Sequence, residues 1–259
     1  MRVAVIGGTG VLGGAVVHEL AARGHQVIVV SRTAPRVLLP GTEHRAADLT
    51  TGSGVAAALA SCDTVVDAAN SVTKSKSLLV DGVRRLLEAE QQAGVGHHVE
   101  ISIVGCDLVP YAYYRTKVAQ EHVVTTGPVP WTLLRATQFH ELITQFVSLP
   151  SRLRIAPHST LKFQPVDVGA VAVRLADAVG QGPSGRMPDL GGPTVHTFTE
   201  LAQIYRAHQH RSALPMPIPT PGRAGRAVRG GALCLDDTGE ARGRGYAAWL
   251  ADRTDPTAG

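Results

Sequence analysis

Residues 2–14 read RVAVIGGTGVLGG, and their reading decides the fold. Arg2 to Ile6 is a short apolar run with β-branched residues at alternate positions, the pattern of a buried strand. Gly7-Gly8-Thr9-Gly10-Val11-Leu12-Gly13-Gly14 follows, and then Ala15 to Arg23 sets Val16, Val17, Leu20 and Ala21 at helical spacing. The unit is strand, tight turn, helix. A turn this sharp favours residues without a Cβ, because the backbone takes φ > 0 and lies close to any ligand. Free N–H groups in the first helical turn, with the positive end of the helix dipole, suit a phosphate. Gly8, Gly10 and Gly13 fit G-x-G-x-x-G, while Gly7, Gly10 and Gly13 fit G-x-x-G-x-x-G, so spacing leaves open which glycine does what. A glycine-rich turn without a ligand is the competing reading. The preceding strand and following helix favour a dinucleotide site. On that reading Gly7, Thr9, Gly10, Val11, Leu12 and Gly13 bind the cofactor.

Working outward, strands and helices alternate. Gln26 to Val30 is the second strand, Glu43 to Ala47 the third, Asp63 to Ala69 the fourth, Val99 to Val104 the fifth and Trp131 to Arg135 the sixth. Between them, Val55 to Ala60 is a brief helix, Ser75 to Ala93 a long amphipathic one, and Tyr111 to Thr125 another. This alternation predicts an α/β fold with a parallel sheet and right-handed crossovers. The pattern is less regular beyond Gln138. Gln138 to Leu149 reads as a helix stopped by Pro150, Lys162 to Val168 as a strand or turn, and Gly169 to Val179 as a helix. Thr199 to His210 reads as a helix capped by Thr197 or Thr199. The Gly- and Pro-rich stretch from Gln181 to Pro193 marks a boundary. The expected organisation is a dinucleotide-binding domain over residues 1–180 and a small C-terminal substrate or lid region, 181–259, that does not fold alone.

The second strand ends in Ser31-Arg32-Thr33-Ala34-Pro35-Arg36, with no Asp or Glu between Glu19 and Glu43. An acid here would suit the 2′-OH of NAD, whereas arginines suit the extra phosphate of NADP. Ser31, Arg32 and Arg36 therefore favour NADP over NAD, the alternative being a solvated loop.

The 259 residues carry 25 Lys and Arg against 21 Asp and Glu, a net charge of +4. This is too weak to argue for nucleic acid, and an anionic cofactor accounts for it. Cys62, Cys106 and Cys234 are widely spaced and odd in number, which argues against a disulfide framework and for a reduced, cytoplasmic setting. No cleavable leader or membrane-spanning run is expected. Residues 211–231 alternate Pro215, Pro217, Pro219 and Pro221, then carry Arg223, Arg226 and Arg229. That stretch reads as an extended, solvated basic loop, or else a lid or docking strip. The tail, Thr254 to Gly259, is expected to fray.

A second constellation is Ser102, Tyr113 and Lys117. Tyr113 and Lys117 are four apart on an expected helix, which sets them on one face. A tyrosine is a poor acid at neutral pH unless a nearby ammonium favours its phenolate. Lys117 is also placed to reach the nicotinamide ribose, and Ser102, near a strand's carboxyl end, to hold a substrate oxygen. Gln138, Phe139 and His140 follow the sixth strand and are expected to line the substrate pocket, with packing as the alternative. His97-His98 reads as a loop pair, and neither it nor His140-Glu141 has metal-ligand spacing.

The stretches VAVIGGTGVLGGAVVHELAARGHQVIVVSR, YYRTKVAQEHVV and WTLLRATQFHEL resemble an atypical short-chain dehydrogenase/reductase of the NmrA-like, NAD(P)H-binding group, over roughly residues 1–205. The resemblance implies a Rossmann-type doubly wound parallel sheet with a small C-terminal substrate lobe. It implies catalytic roles for Tyr113 and Lys117, with help from Ser102. It makes Asp48-Leu49 the adenine-contacting pair and Ala68-Ala69-Asn70 the strand end that supports the cofactor. Only ten residues separate Ser102 from Tyr113, a short connection for an active member. The expected activity is reduction of a small organic carbonyl or quinone-like substrate by NADPH. A redox-sensing protein without turnover, or a non-redox cyclase or dehydratase, remains the alternative. A small-molecule substrate is the expected partner, nucleic acid and membrane are not, and a homodimer is compatible with the sequence.

Overall fold

The computed structural model describes residues 1–73, 75–210 and 212–253. In chain order the first elements are β1 (Arg2–Ile6), α1 (Val11–Ala22), β2 (Gln26–Ser31), β3 (Thr42–Ala46), α2 (Val55–Ala58) and β4 (Thr64–Asp67). A π-helical stretch, Lys76–Gly82, runs into α3 (Val83–Ala93), followed by β5 (His97–Ile103), α4 (Ala112–Thr125) and β6 (Trp131–Ala136). Next come α5 (His140–Arg152), β7 (Ile155–His158), β8 (Lys162–Phe163), α6 (Val168–Gln181), β9 (Gly185–Arg186) and β10 (Leu190–Gly191). The chain continues through β11 (His196–Thr197), α7 (Phe198–His208), β12 (Leu214–Pro217), α8 (Gly222–Arg229), β13 (Glu240–Ala241) and α9 (Tyr246–Ala251).

Two compact units share these elements. The first holds Met1–Ser102, Ala112–Arg135 and Val171–Met187, and the second holds Ile103–Tyr111, Ala136–Ala170 and the chain from Pro188 onward. The units interleave in sequence rather than dividing near residue 180, because β9 adds to the sheet beside β6, through Thr132↔Gly185.

In the first unit the strands run β3-β2-β1-β4-β5-β6. β1 pairs in parallel with β2 on one side, Ile6 opposite Val30, and with β4 on the other, Ile6 opposite Asp67. This is the doubly wound order, and it reverses direction between β1 and β4, where such sheets bind ligands at the carboxyl ends of their strands. Apolar side chains drive the packing. Ala4, Ile6, Ile28, Val30 and Val65 of the sheet meet Leu59, Val83, Leu86 and Val124 of the helical layer. The second unit has its own core of Ile143, Leu201, Tyr246, Trp249 and Leu250. Among the described residues, no helix is long and apolar enough to cross a membrane.

Several local expectations change. Pro150 lies inside α5, which continues to Arg152. Thr197 rather than Thr199 caps α7, in a reciprocal capping box with Glu200. Among the described residues, the 212–231 stretch forms a short strand and a helix rather than a loop. Leu214–Pro217 pairs in parallel with Ile155–His158 in a two-stranded sheet, where prolines are tolerated on an edge. Gly222–Arg229 is a helix that buries Gly225 and Val228 and leaves Arg223 and Arg226 exposed. Arg229 folds back, its Nη1 donating to the Thr220 carbonyl at 2.9 Å. Thr254 to Gly259 lies outside the described residues.

Candidate functional site

The turn after β1 is built by steric exclusion. Gly7 takes φ +70°, and a Cβ there would stand 3.0 Å from the Ala69 backbone. A Cβ on Gly13 would stand 2.1 Å from the Gly7 carbonyl oxygen, so only glycine lets α1 approach the turn this closely. A Cβ on Gly8 would stand 3.0 Å from both the Val29 side chain and the Val5 carbonyl oxygen, while Gly10 is less constrained. Gly7 and Gly13 are therefore the obligatory pair, which spacing alone left open. Gly10 caps α1 with no side chain to satisfy the first turn. The N–H groups of Val11, Leu12 and Gly13 consequently have no intrahelical acceptor, and they point out of the helix at the positive end of its dipole. The residues present fit a dinucleotide pyrophosphate.

The other expected cofactor residues in the first unit lie at strand ends. Ser31 closes β2, its Oγ donating to the Thr33 carbonyl at 2.8 Å and lying 3.1 Å from His44 Nε2. His44 is a polar neighbour that spacing along the chain does not single out. Arg32 and Arg36 are exposed. Asp48 accepts both the backbone N–H and the hydroxyl of Thr50, at 2.8 and 2.6 Å, and these bonds, with the charge of Arg32, hold its carboxyl below the usual range. Leu49 is buried beside Gly82. Ala68 and Ala69 floor the glycine turn, and Asn70 follows them into solvent.

The Tyr113 hydroxyl donates to Asn70 Oδ1 at 2.8 Å, joining α4 to the end of β4. Ser102 lies near the carboxyl end of β5, 3% exposed, its Oγ with no hydrogen-bond partner. Lys117 points elsewhere. Its ammonium donates to the Ile101 carbonyl at 2.8 Å and to Gln120 Oε1 at 2.5 Å, and lies 3.5 Å from Glu100 Oε1. An ammonium has three donors, and all three have acceptors here. The expected Lys117 contact with a ribose would require one of these bonds to break.

Lys117 belongs to a buried polar row that spacing along the chain does not assemble. Glu100 also accepts from Gln120 Nε2 at 3.0 Å. His98 Nδ1 meets Glu90 at 2.9 Å, and its Nε2 lies 3.6 Å from Glu100. Burial opposes charge on His98, but Glu90 and Glu100 prevail and raise its pKa well above 6.5. His97 and His98 are thus strand residues, not a loop pair, and both are buried. His97 bonds Thr132 at 2.8 Å on β6, and burial lowers it to about 4. A signal for this row exists in the sequence: His98, Glu100 and Ser102 recur at a period of two, which sets them on one face of β5.

In the second unit, Gln138 Nε2 donates to the Leu233 carbonyl at 3.0 Å and its Oε1 accepts from the Gln164 N–H at 3.2 Å. Phe139 caps α5 and bridges to Val166. His140 is fully buried against Tyr246 and Trp249, with Nε2 3.0 Å from the Arg244 carbonyl. The Gln138 and His140 side chains are buried in their unit's interior, and Phe139 is half-buried.

A reversed sheet order, with a glycine cradle at the reversal, defines a nicotinamide dinucleotide-binding protein. The chain belongs to the NAD(P)H-binding family, whose model matches residues 7–177. It is 28% identical over 242 residues to the mitochondrial NADH dehydrogenase [ubiquinone] 1 alpha subcomplex subunit 9 of Arabidopsis thaliana, covering 83% of this chain and 60% of that protein. The chain thus spans less than two thirds of that relative. Its fold matches the NADPH-dependent quinone oxidoreductase of Escherichia coli in complex with NADPH, with TM-score 0.79 and 17% identity over 96% of this chain and 98% of that one. It also matches the Thermus thermophilus UDP-glucose 4-epimerase in complex with NAD, with TM-score 0.70 and 25% identity over 87% and 88%.

Proposed function

We propose that the protein is an NADPH-dependent reductase of a small organic carbonyl or quinone-like compound, close to the NmrA-like group. One relationship carries the reading. Tyr113, an O–H donor, bonds the residue that directly follows the Ala68-Ala69 floor of the glycine cradle. A bound NADPH supplies hydride. Tyr113 supplies the proton to the substrate oxygen by turning its O–H from Asn70 Oδ1, which holds the hydroxyl beside the cradle until then, and Ser102 offers a buried donor to the developing oxyanion. Lys117 acts as a positioning residue that ties α4 to β5. Arg32 and Arg36, with no acid at the end of β2, favour NADPH over NADH.

One observation favours a second reading, a dinucleotide sensor without turnover: every donor of Lys117 is engaged inside the protein. NADPH absorbance, followed over a panel of carbonyls and quinones beside a binding titration, separates the two. Consumption supports the reductase, and tight binding without consumption supports the sensor. Absence of binding overturns both and leaves non-redox chemistry.

A further inference from the structure

The polar face of β4 and β5 holds one acid more than its cations balance. Glu90 and Glu100 offer two negative charges, and His98 and Lys117 two positive ones; Asp67 is the fifth group. Asp67 and Glu100 stand opposite each other in the parallel register, each 1% exposed. Each keeps an oxygen without a hydrogen-bond partner, Oδ2 of Asp67 and Oε2 of Glu100. Two buried carboxyls so placed resist ionising together; Glu100 Oε2 faces His98 Nε2 at 3.6 Å, and a proton on Asp67 supplies the donor that its own Oδ2 lacks. The charged groups acting on Asp67 are Glu100 and His98 from β5 and Lys117 from α4, while β1 presents Ile6 as its register partner.

Asp67 is also coupled to the cradle. Its Oδ1 accepts the Ala69 N–H at 2.9 Å, and that same nitrogen lies 3.0 Å from where a Gly7 Cβ would be. We propose that Asp67, opposite Glu100, holds a proton beneath the glycine turn, and that an anionic dinucleotide seated there retains it, so that binding takes up a proton. The proposal rests on the dinucleotide reading. Loss of the proton leaves the buried row with a net negative charge under a bound anion, and the low dielectric of the interior magnifies that repulsion. Burial, and then the charge of Glu100, push Asp67 up to about 7, so the proton is exchangeable near neutrality. The step is Asp67 carboxylate plus a solvent proton giving the carboxylic acid, with no other bond changed.

The test is calorimetric titration of the full chain with NADPH at pH 7.5, in two buffers of different ionisation enthalpy, together with affinities at pH 6 and pH 8. Wild type should take up part of a proton, and its affinity should fall about threefold or more, relative to Asp67→Asn, between those pH values. The 2′-phosphate of NADPH titrates in the same range, but it does so equally for both proteins. Equal pH dependence and equal proton uptake in the two proteins overturn the retained proton and leave the dinucleotide reading intact. Should Asp67→Asn not fold, Glu100→Gln serves: it removes the charge of Glu100 while burial remains and leaves His98 and Lys117 to favour ionised Asp67, so uptake should be smaller than in wild type, and undiminished uptake overturns the proposal. Wild type that binds no NADPH at either pH overturns the dinucleotide reading and the inference together.

Discussion

Tyr113 and Asn70 are 43 positions apart and share a 2.8 Å hydrogen bond that brings the middle of the α/β domain to the strand end under the glycine turn. If Tyr113 is the proton donor, Tyr113→Phe should lower turnover by about 10²–10⁴-fold with NADPH affinity and stability nearly unchanged. Asn70→Ala should give a smaller loss with the same intact binding. Steady-state rates with a responsive quinone or carbonyl, set beside a binding titration, check both. Unchanged turnover in Tyr113→Phe removes it from the chemistry.

The cradle makes a contrast between neighbouring glycines. Gly13→Ala puts a methyl 2.1 Å from the Gly7 oxygen. It should cost about 1–3 kcal/mol through overpacking and abolish dinucleotide binding. Gly14→Ala meets nothing nearer than 3.8 Å and sits in α1. It should keep binding and gain about 0.5–1 kcal/mol of helix propensity. Urea denaturation and NADPH titration of the two variants decide the matter.

Stability should fall as pH rises through neutrality. Asp67 is raised from 3.8 to about 7, so its folded form holds a proton that its unfolded form has lost. Its contribution is fully present below pH 3.8 and is lost as pH climbs through about 7, amounting to about 4 kcal/mol at most. His98 is raised above 6.5 and acts in the same direction, its contribution being lost at higher pH. The urea midpoint should therefore be lower at pH 8 than at pH 5, and Asp67→Asn should flatten the part of that slope below pH 7.

Lys117 should behave as a structural cation. Lys117→Ala strands Glu100 without an opposing ammonium, at a cost of about 3–5 kcal/mol. Glu100→Gln in the same chain should recover part of that loss, because no lone charge then remains. Thermal or urea unfolding of the single and double variants reads this out. A Lys117→Ala protein as stable as wild type, with only its NADPH affinity reduced, would instead return Lys117 to the ribose.

The sequence by itself determined the parallel α/β sheet, since apolar runs, helical stripes and turn residues recur in chain order and are local properties. It also determined that a glycine cradle follows β1, whereas the left-handed backbone at Gly7 and the 2.1 Å approach at Gly13, which single out those two glycines, come from the structure. Tertiary structure decided what the polar side chains do. Spacing sets Tyr113 and Lys117 on one face of α4, but the long lysine stem follows the best acceptors within reach, and β5 presents those as Glu100 and the Ile101 carbonyl. Likewise a period of two shows that His98, Glu100 and Ser102 share a face, whereas only the order of the sheet brings Asp67 beside Glu100, and only the packing of α3 brings Glu90 to His98. Periodicity along one chain fixes direction; which partner waits there depends on segments tens of residues away.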